Sequence, residues 1–266
     1  MPLAVCATPI GNLEDVTLRV LEELRAADVV LCEDTRHTRI LLRRYEIATP
    51  LLSYHEHNEA ARTAELLPRL EAGERMALVT DAGLPGVSDP GARLVRAALE
   101  AGVPVTVLPG PSAVETALVA SGFAVERYQF LGFLPRGEKA LRELWQELAG
   151  WSWPAVAFES PKRLPATLRS LADVAPGREL AVCRELTKRF EEVARGSAAD
   201  LAERFADAPK GEITLVLGPG AAVRDDAAAL AAVGELVGSG VPRKQAAELV
   251  ARLTGASRNE LYQGSL

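Results

Sequence analysis

Five times in the first 122 residues a short apolar run gives way to an amphipathic segment, and this alternation constrains the fold more than any other property of the chain. The runs are LAVCA, VVLCE, LLSY, MALVT and VPVTVLP. The segments between and after them are VTLRVLEELRAA, TRILLRRY, NEAARTAELLPRLEAG, ARLVRAALEAG and SAVETALVASG. Parallel strands need a crossover of roughly a dozen residues or more, and an amphipathic helix makes that crossover while covering the sheet. The pattern predicts an α/β fold with a largely parallel sheet. Such a sheet gathers the loops that follow its strands at one edge, where open α/β sheets bind ligands.

One of those loops, TDAGLPGVSDPG (Thr80 to Gly91), is far longer than a connection requires, since βα loops usually run about two to six residues. Glycine accepts positive φ and proline fixes φ, so three glycines and two prolines specify a particular backbone path. Asp89 and Pro90 read as the N-cap and first turn of the next helix.

After Ser121 the pattern changes. YQFLGFL, PAVAFES, ELAVCRE and EITLVLG are joined by two helical segments and by one direct strand-to-strand step at RELTKRFEEVARG, which predicts a mixed sheet. The boundary falls near residues 119 to 126, giving an N-terminal α/β domain (1–120), a C-terminal α/β domain (121–222) and an alanine-rich helical appendage (223–266). In that appendage Val241, Ala246, Leu249, Val250 and Leu253 recur at helical spacing, and Ser257 can cap a last short helix.

No apolar run approaches the ~20 residues that span a bilayer and no leader pattern precedes the first strand, so the expected location is the cytoplasm. Cys6, Cys32 and Cys183 each lie in or beside a strand-like run without metal-ligand spacing, and are expected to be reduced core thiols. A formal charge of −6 argues against non-specific coating of nucleic acid, yet the cations cluster: Arg36, Arg39, Arg43 and Arg44; Arg136 and Lys139; Lys162 and Arg163; Arg184, Lys188 and Arg189. Phosphate-loop, dinucleotide and nucleophile-elbow motifs are absent.

After the first strand comes TPIGN, whose proline and glycine suit close approach to a ligand. The three histidines lie in EDTRHTR and HEHNE, both following strands, so that carboxylates, imidazoles and guanidiniums converge if those strands are parallel neighbours. His55 and His57 alternate as metal ligands do, but lack a settled third ligand. Asp34 and Asn58 are natural helix caps. PGPSAVETAL, FESPKR and RELTK add three more strand-end segments.

Taken in order over residues 5 to 217, TPIGN, EDTRHT, HEHNE, DAG-x-PG-x-SDPG, PGPSA, SGF, GFLPR, FES, RELTK and GE resemble the ribosomal RNA methyltransferase branch of the tetrapyrrole methylase superfamily. The resemblance implies two α/β domains with S-adenosylmethionine in the cleft between them, commonly in a homodimer, and 2′-O-methylation of a cytidine in the decoding region of small-subunit rRNA. It implies a cofactor wall made of Pro9, Asp81, Gly83, Leu84, Gly86, Val87, Ser112, Ala113, Phe158, Glu159, Arg184, Glu212 and Ile213, with Asp81 open between cofactor contact and loop bracing. Leu84 stands where the family pattern has threonine, and Lys162 where it has histidine.

Transfer of a methyl group to a ribose hydroxyl needs a proton acceptor, and the candidates are Asp34, His37, His55 and Glu185, with Asp34 placed first because it opens the charged loop after the second strand. Arg36, Arg136, Arg163 and Lys188 are the candidates for holding RNA phosphates. Two rivals stand beside this reading. A C-methylase of a tetrapyrrole precursor would use the arginines for substrate carboxylates, but it would carry a glycine-rich G-x-G-P-G-D first loop where this chain has TPIGN. A non-catalytic assembly factor would not explain so many titratable residues at one cleft.

Overall fold

The computed structural model describes residues 2–86, 89–220, 226–254 and 256–266. The first half alternates β1 (Leu3–Cys6), α1 (Leu18–Ala26), β2 (Val29–Cys32), α2 (Thr35–Arg44), β3 (Leu51–Ser53), α3 (Glu59–Glu71), β4 (Met76–Leu78), α4 (Ala92–Glu100), β5 (Val105–Leu108) and α5 (Ala113–Ser121). The five strands pair in parallel in the order β3-β2-β4-β1-β5, as the alternation predicts. One face packs Ala4, Cys6, Val30 and Cys32 against Val20, Leu24, Leu41 and Leu42 of α1 and α2. The other packs Leu3, Val5, Leu31 and Leu78 against Leu66, Leu70, Leu94 and Ala98 of α3 and α4. Because both faces are covered, the strands read as unbroken apolar runs.

The second half contains β6 (Gln129–Phe133), α6 (Glu138–Ala149), β7 (Ala155–Glu159), α7 (Leu164–Val174), β8 (Glu179–Arg184), β9 (Glu192–Ser197), α8 (Ala198–Arg204) and β10 (Ile213–Leu217). Its sheet has the order β6-β7-β10-β8-β9; β6 and β7 are parallel, and every other pairing is antiparallel, so the sheet is mixed. The seven-residue helix α8, capped by the Ser197 hydroxyl, was not expected; one apolar stripe of Ala198 and Leu201 is too short for periodicity to reveal.

Both sheets belong to one compact unit, residues up to 145 together with 153–219. α5 follows the first sheet in sequence but packs on the second: Val114, Ala117 and Leu118 meet Val156, Ala181, Cys183 and Val216. The second unit, residues 146–152 with those from 220 onward, carries α9 (Asp226–Gly238), α10 (Arg243–Thr254) and α11 (Arg258–Gly264) around Val233, Ala246, Ala247, Val250 and Leu261. Ser257 caps α11 as expected, whereas Leu253, expected on the apolar stripe, is 75% exposed and Ala247 lies in the core instead. The three cysteines are free and buried, and burial first pushes the Cys6 thiol up to about 12 and Cys183 to about 11. Among the described residues no helix is long and apolar enough to cross a membrane.

Candidate active site

The strand order places β2, β4 and β1 side by side, so the loops leaving their carboxyl ends are neighbours. Backbone bonds zip the first of them to the long loop: Thr8 N–H donates to Gly83 O at 2.8 Å and Gly83 N–H to Thr8 O at 3.1 Å, while the buried Thr8 hydroxyl donates to Thr80 O at 3.0 Å. Gly83 holds φ +81°, and a Cβ there would lie 3.8 Å from Pro111 O and 3.9 Å from Ile10 Cγ2. Three loops thus approach within van der Waals distance around a position without a side chain, as a narrow ligand cradle requires.

The loop after β2 joins through Asp81. Its Oδ1 accepts the Asp34 N–H at 3.2 Å and lies 3.6 Å from His37 Nδ1. Thr8, Pro9, His37, Thr38, Thr80 and Asp81 line a cavity of about 40 Å³. Of the base candidates, Asp34 and His37 therefore stand together, but their chemistry differs. Asp34 caps α2 through the Arg36 N–H at 2.8 Å and also takes the Arg36 guanidinium at 2.7 Å. Those bonds hold its carboxyl well below the usual carboxylate range, which makes it a weak base. His37 has a half-exposed ring whose Nδ1 faces the Asp81 carboxylate.

Further along the edge, His55 N–H donates to Asn58 Oδ1 at 2.9 Å, and Asn58 Nδ2 reaches Ser53 O and His55 Nε2. Asn58 thus braces His55 and makes no side-chain cap for α3, contrary to expectation. The His55 and His57 rings stand 5.9 Å apart; among the described residues no group of three or more His, Cys, Asp or Glu is arranged to hold a metal. Asp89 likewise is not the cap of α4. The helix begins after Gly91 at φ +135°, where a Cβ would press on Leu78 at 3.0 Å, and among the described residues no side chain caps it. Asp89 turns inward instead, where burial first, then Glu33 and Asp81, against a Thr80 hydroxyl bond, push its carboxyl up to about 6.

The second sheet contributes an edge of its own. Ile213 pairs with both Glu159 and Arg184, aligning the carboxyl ends of β7 and β8 with the start of β10. Glu185 and Thr187 beyond β8 hold φ +53° and +65°, a conformation costly for non-glycine residues. Bonds over-determine it: Glu185 Oε1 accepts the Glu212 N–H and Lys188 Nζ, each at 2.9 Å, Lys188 also meets Glu212 Oε2 at 2.9 Å, and Asn12 N–H donates to Thr187 Oγ1 at 3.0 Å. The Glu212 N–H first, then Lys188, keep the Glu185 carboxyl below its ordinary value. The RELTK loop is thereby docked on Gly11 and Asn12 of the first loop.

Ile10, Ala82, Ala113 and Phe158 share one apolar cluster, so residues from four segments expected in the cofactor wall meet. Ser112 donates its hydroxyl to Glu115, which also takes the Tyr128 hydroxyl at 2.8 Å. Other wall residues are placed differently. Leu84 packs toward the α3 and α4 face, and with Gly86 lines a separate groove of about 420 Å³ beside Val95, Leu99 and Val107. Arg184 is held by Glu192 at 2.8 Å and by Lys210 O at 3.2 Å. Ile213 is buried in the sheet, Glu212 is largely exposed, and Val87 lies outside the described residues.

Glu159 is fully buried. Its carboxylate accepts Ser160 N–H at 2.6 Å and Thr167 Oγ1 at 2.5 Å and pairs with Arg163, whose guanidinium also donates to Leu134 O at 3.0 Å and Pro135 O at 3.1 Å. Arg163 is therefore a strut between β7 and the loop after β6. Of the expected phosphate ligands, Lys188 is neutralised by two carboxylates and Arg36 by one, while Arg136 is exposed. On α2, Arg36, Arg39 and Arg43 lie at helical spacing on the exposed face, beside His37.

Residues 2–202 match the family described as Tetrapyrrole (Corrin/Porphyrin) Methylases, and residues 223–266 match the RsmI C-terminal HTH domain. The protein named ribosomal RNA small subunit methyltransferase I of Mesorhizobium japonicum is 44% identical over 266 residues, covering 98% of this chain and 90% of its own. That of Synechocystis is 42% identical, covering 99% and 97%, and that of Thermotoga maritima 45% identical, covering 81% and 97%. Two solved structures share the fold: uroporphyrin-III-C-methyltransferase from Thermus thermophilus (TM-score 0.57, 23% identity, 81% of this chain and 93% of that one) and a diphthine synthase (TM-score 0.64, 14% identity, 81% and 89%).

Proposed function

From the premise that this chain belongs to the tetrapyrrole methylase family, and within it to the ribosomal RNA small subunit methyltransferases I, we propose that it methylates the 2′-hydroxyl of a cytidine in the decoding region of small-subunit rRNA. The chain is an S-adenosylmethionine-dependent methyltransferase. What carries the reading is the full-length likeness to relatives that bear this name, and the site's chemistry agrees with it.

S-adenosylmethionine supplies the methyl group as an electrophilic sulfonium. The walls that fit it are backbone and small or apolar side chains: Pro9, Gly83, Ala113 and Phe158, together with Ile10 and Ala82. His37 takes the ribose proton at Nε2, with Nδ1 directed at Asp81, an imidazole oriented by a carboxylate. Asp34 orients instead of reacting, because it fixes the start of α2 and its backbone N–H fixes Asp81. Arg39 and Arg43 on α2, with Arg136, bind phosphates flanking the target. Positive charge at sulfur disappears during transfer, so the apolar cluster that keeps water out favours the reaction. Holding the reacting atoms roughly 3 to 3.5 Å apart supplies much of the acceleration.

The same reading gives a cytoplasmic enzyme that works as a homodimer on assembled subunits rather than bare RNA, since the net charge of −6 leaves only local basic surfaces. The deciding experiment incubates the protein and methyl-labelled S-adenosylmethionine, in parallel, with small subunits or with a tetrapyrrole precursor. Label on a cytidine ribose is expected; label on a tetrapyrrole precursor instead, or no transfer, overturns the proposal. Sedimentation of the purified protein as a monomer at micromolar concentration overturns the dimer.

A further inference from the structure

We propose that Phe133 is a stacking platform for an unstacked base of the RNA substrate, presented by a one-residue bulge in β6. The proposal rests on the functional reading above and adds to it a residue that sets how the substrate is held. In β6, Phe130 pairs with Val156 of β7 and Phe133 with Phe158, so the three-residue step on β6 faces a two-residue step on β7. Gly132 absorbs the extra residue at φ +65°. Side chains alternate along a strand, so in an unbroken strand Phe130 and Phe133 would point to opposite faces; the bulge brings both to the face of Phe158. The three rings then form a ladder, Phe158 standing edge-on to Phe130 at 5.1 Å and to Phe133 at 5.5 Å. Phe130 and Phe158 are part of the cluster that includes Ile10, Ala82 and Ala113. Phe133 ends the ladder and is 65% exposed.

The backbone beside the platform is braced. Leu134 and Pro135, which follow it directly, are held through their carbonyls by Arg163, itself fixed by the buried Glu159. A ring fixed before binding loses little freedom on stacking. Exposed cations lie in the loops that leave the same strand ends: Arg136 after β6 and Lys162 after β7. S-adenosylmethionine is a net cation whose one anionic group is a carboxylate, so two exposed cations are poorly matched to the cofactor alone. An open aromatic face with exposed basic side chains in the adjoining loops is instead the pattern that binds single-stranded nucleic acid, where bases stack and cations follow the backbone.

The test uses the full chain, small subunits and labelled S-adenosylmethionine, with Phe133→Ala, Phe133→Leu, Phe133→Tyr and Phe133→Trp. Phe133→Ala is expected to lower kcat/KM for subunits by about 10- to 100-fold, with cofactor affinity by calorimetry unchanged. Tyr and Trp are expected to restore activity and Leu to fail, because leucine fills space but offers no π face. If the alanine variant does not fold, the contrast between Trp and Leu decides. Full activity of the Leu variant, unchanged kcat/KM in the alanine variant, or loss of cofactor affinity in any variant that folds overturns the proposal. Wild-type protein that labels no rRNA overturns the functional reading and this inference together, an outcome distinct from a wild type that labels and an alanine variant that labels equally.

Discussion

His37, Asp34 and Asp81 share one corner of the site, and the bonds each makes decide what it can do. Asp34 is spent on Arg36 and on the start of α2, whereas Asp81 faces His37 at 3.6 Å. We therefore expect His37→Ala to lower kcat by about 10²- to 10⁴-fold, with cofactor affinity intact, and Asp34→Asn to leave single-turnover methylation within about tenfold of wild type. The reverse order of effects would return the base to Asp34. Asp89 gives a second residue-scale prediction. Its native pKa of about 6 lies above its ordinary value of 3.8, so the folded state holds the proton more tightly and stability falls as pH rises through about 6. Asp89→Asn removes that loss. Urea unfolding at pH 8 should find the variant more stable by roughly 1 to 2 kcal/mol, a figure discounted for partial exposure, with the gap closing toward pH 4. Residue types at these positions were legible in the sequence. Which carboxylate meets which cation was not, because such pairing depends on distances of a few ångströms between loops far apart in the chain.

Elements carry the site through a few backbone devices. Gly11 touches the RELTK loop so closely that a Cβ would collide with the Lys188 side chain and lie 2.9 Å from Thr187 Oγ1. Gly11→Ala should force the first loop away from the left-handed pair Glu185 and Thr187 and weaken S-adenosylmethionine binding by about tenfold or more, read by calorimetry. Unchanged affinity would show that this docking is irrelevant to the cofactor. Gly86 acts differently. A Cβ there would find Ala92 N at 3.6 Å, ordinary contact, so Gly86→Ala suffers from φ +85°, at about 1 to 2 kcal/mol, rather than from crowding. Glycine and proline content announced a shaped loop, and Gly83, Gly86 and Gly91 all hold positive φ. The start of α4 at Gly91, the brace from Asn58 to His55 and the bulge at Gly132 were hidden, because local sequence offers a plausible alternative in each case and tertiary packing selects among them. The spacing of Phe130 and Phe133 was the available sign of the bulge, since three residues apart cannot share a face of a regular strand.

Across the whole molecule the decisive feature is α5, which completes the first βα series in sequence and packs on the second sheet in space. Residues 1–120 expressed alone would leave Val114, Ala117 and Leu118 without partners. That fragment should aggregate or unfold without a cooperative urea transition, whereas a fragment that unfolds cooperatively would argue for independent domains. An acidic protein with a local basic face should also bind subunits in a strongly salt-dependent way, and Arg39→Ala with Arg43→Ala should flatten the slope of log affinity against log salt by about two. The order of apolar runs and amphipathic segments was enough to determine the parallel first sheet, the mixed second sheet and the helical character of the last segment, because hydrophobic periodicity is a local property that each segment must satisfy alone. It also put the candidate loops together at the strand ends, since parallel topology gathers the loops that follow neighbouring strands at one edge. Only the tertiary structure decided that α5 packs on the second sheet, that Glu159 and Arg163 brace the loop after β6, and that Asp34 is taken up by Arg36 while His37 faces Asp81. Those outcomes depend on long-range contacts whose energies compete closely, and that competition is settled where the chain meets itself.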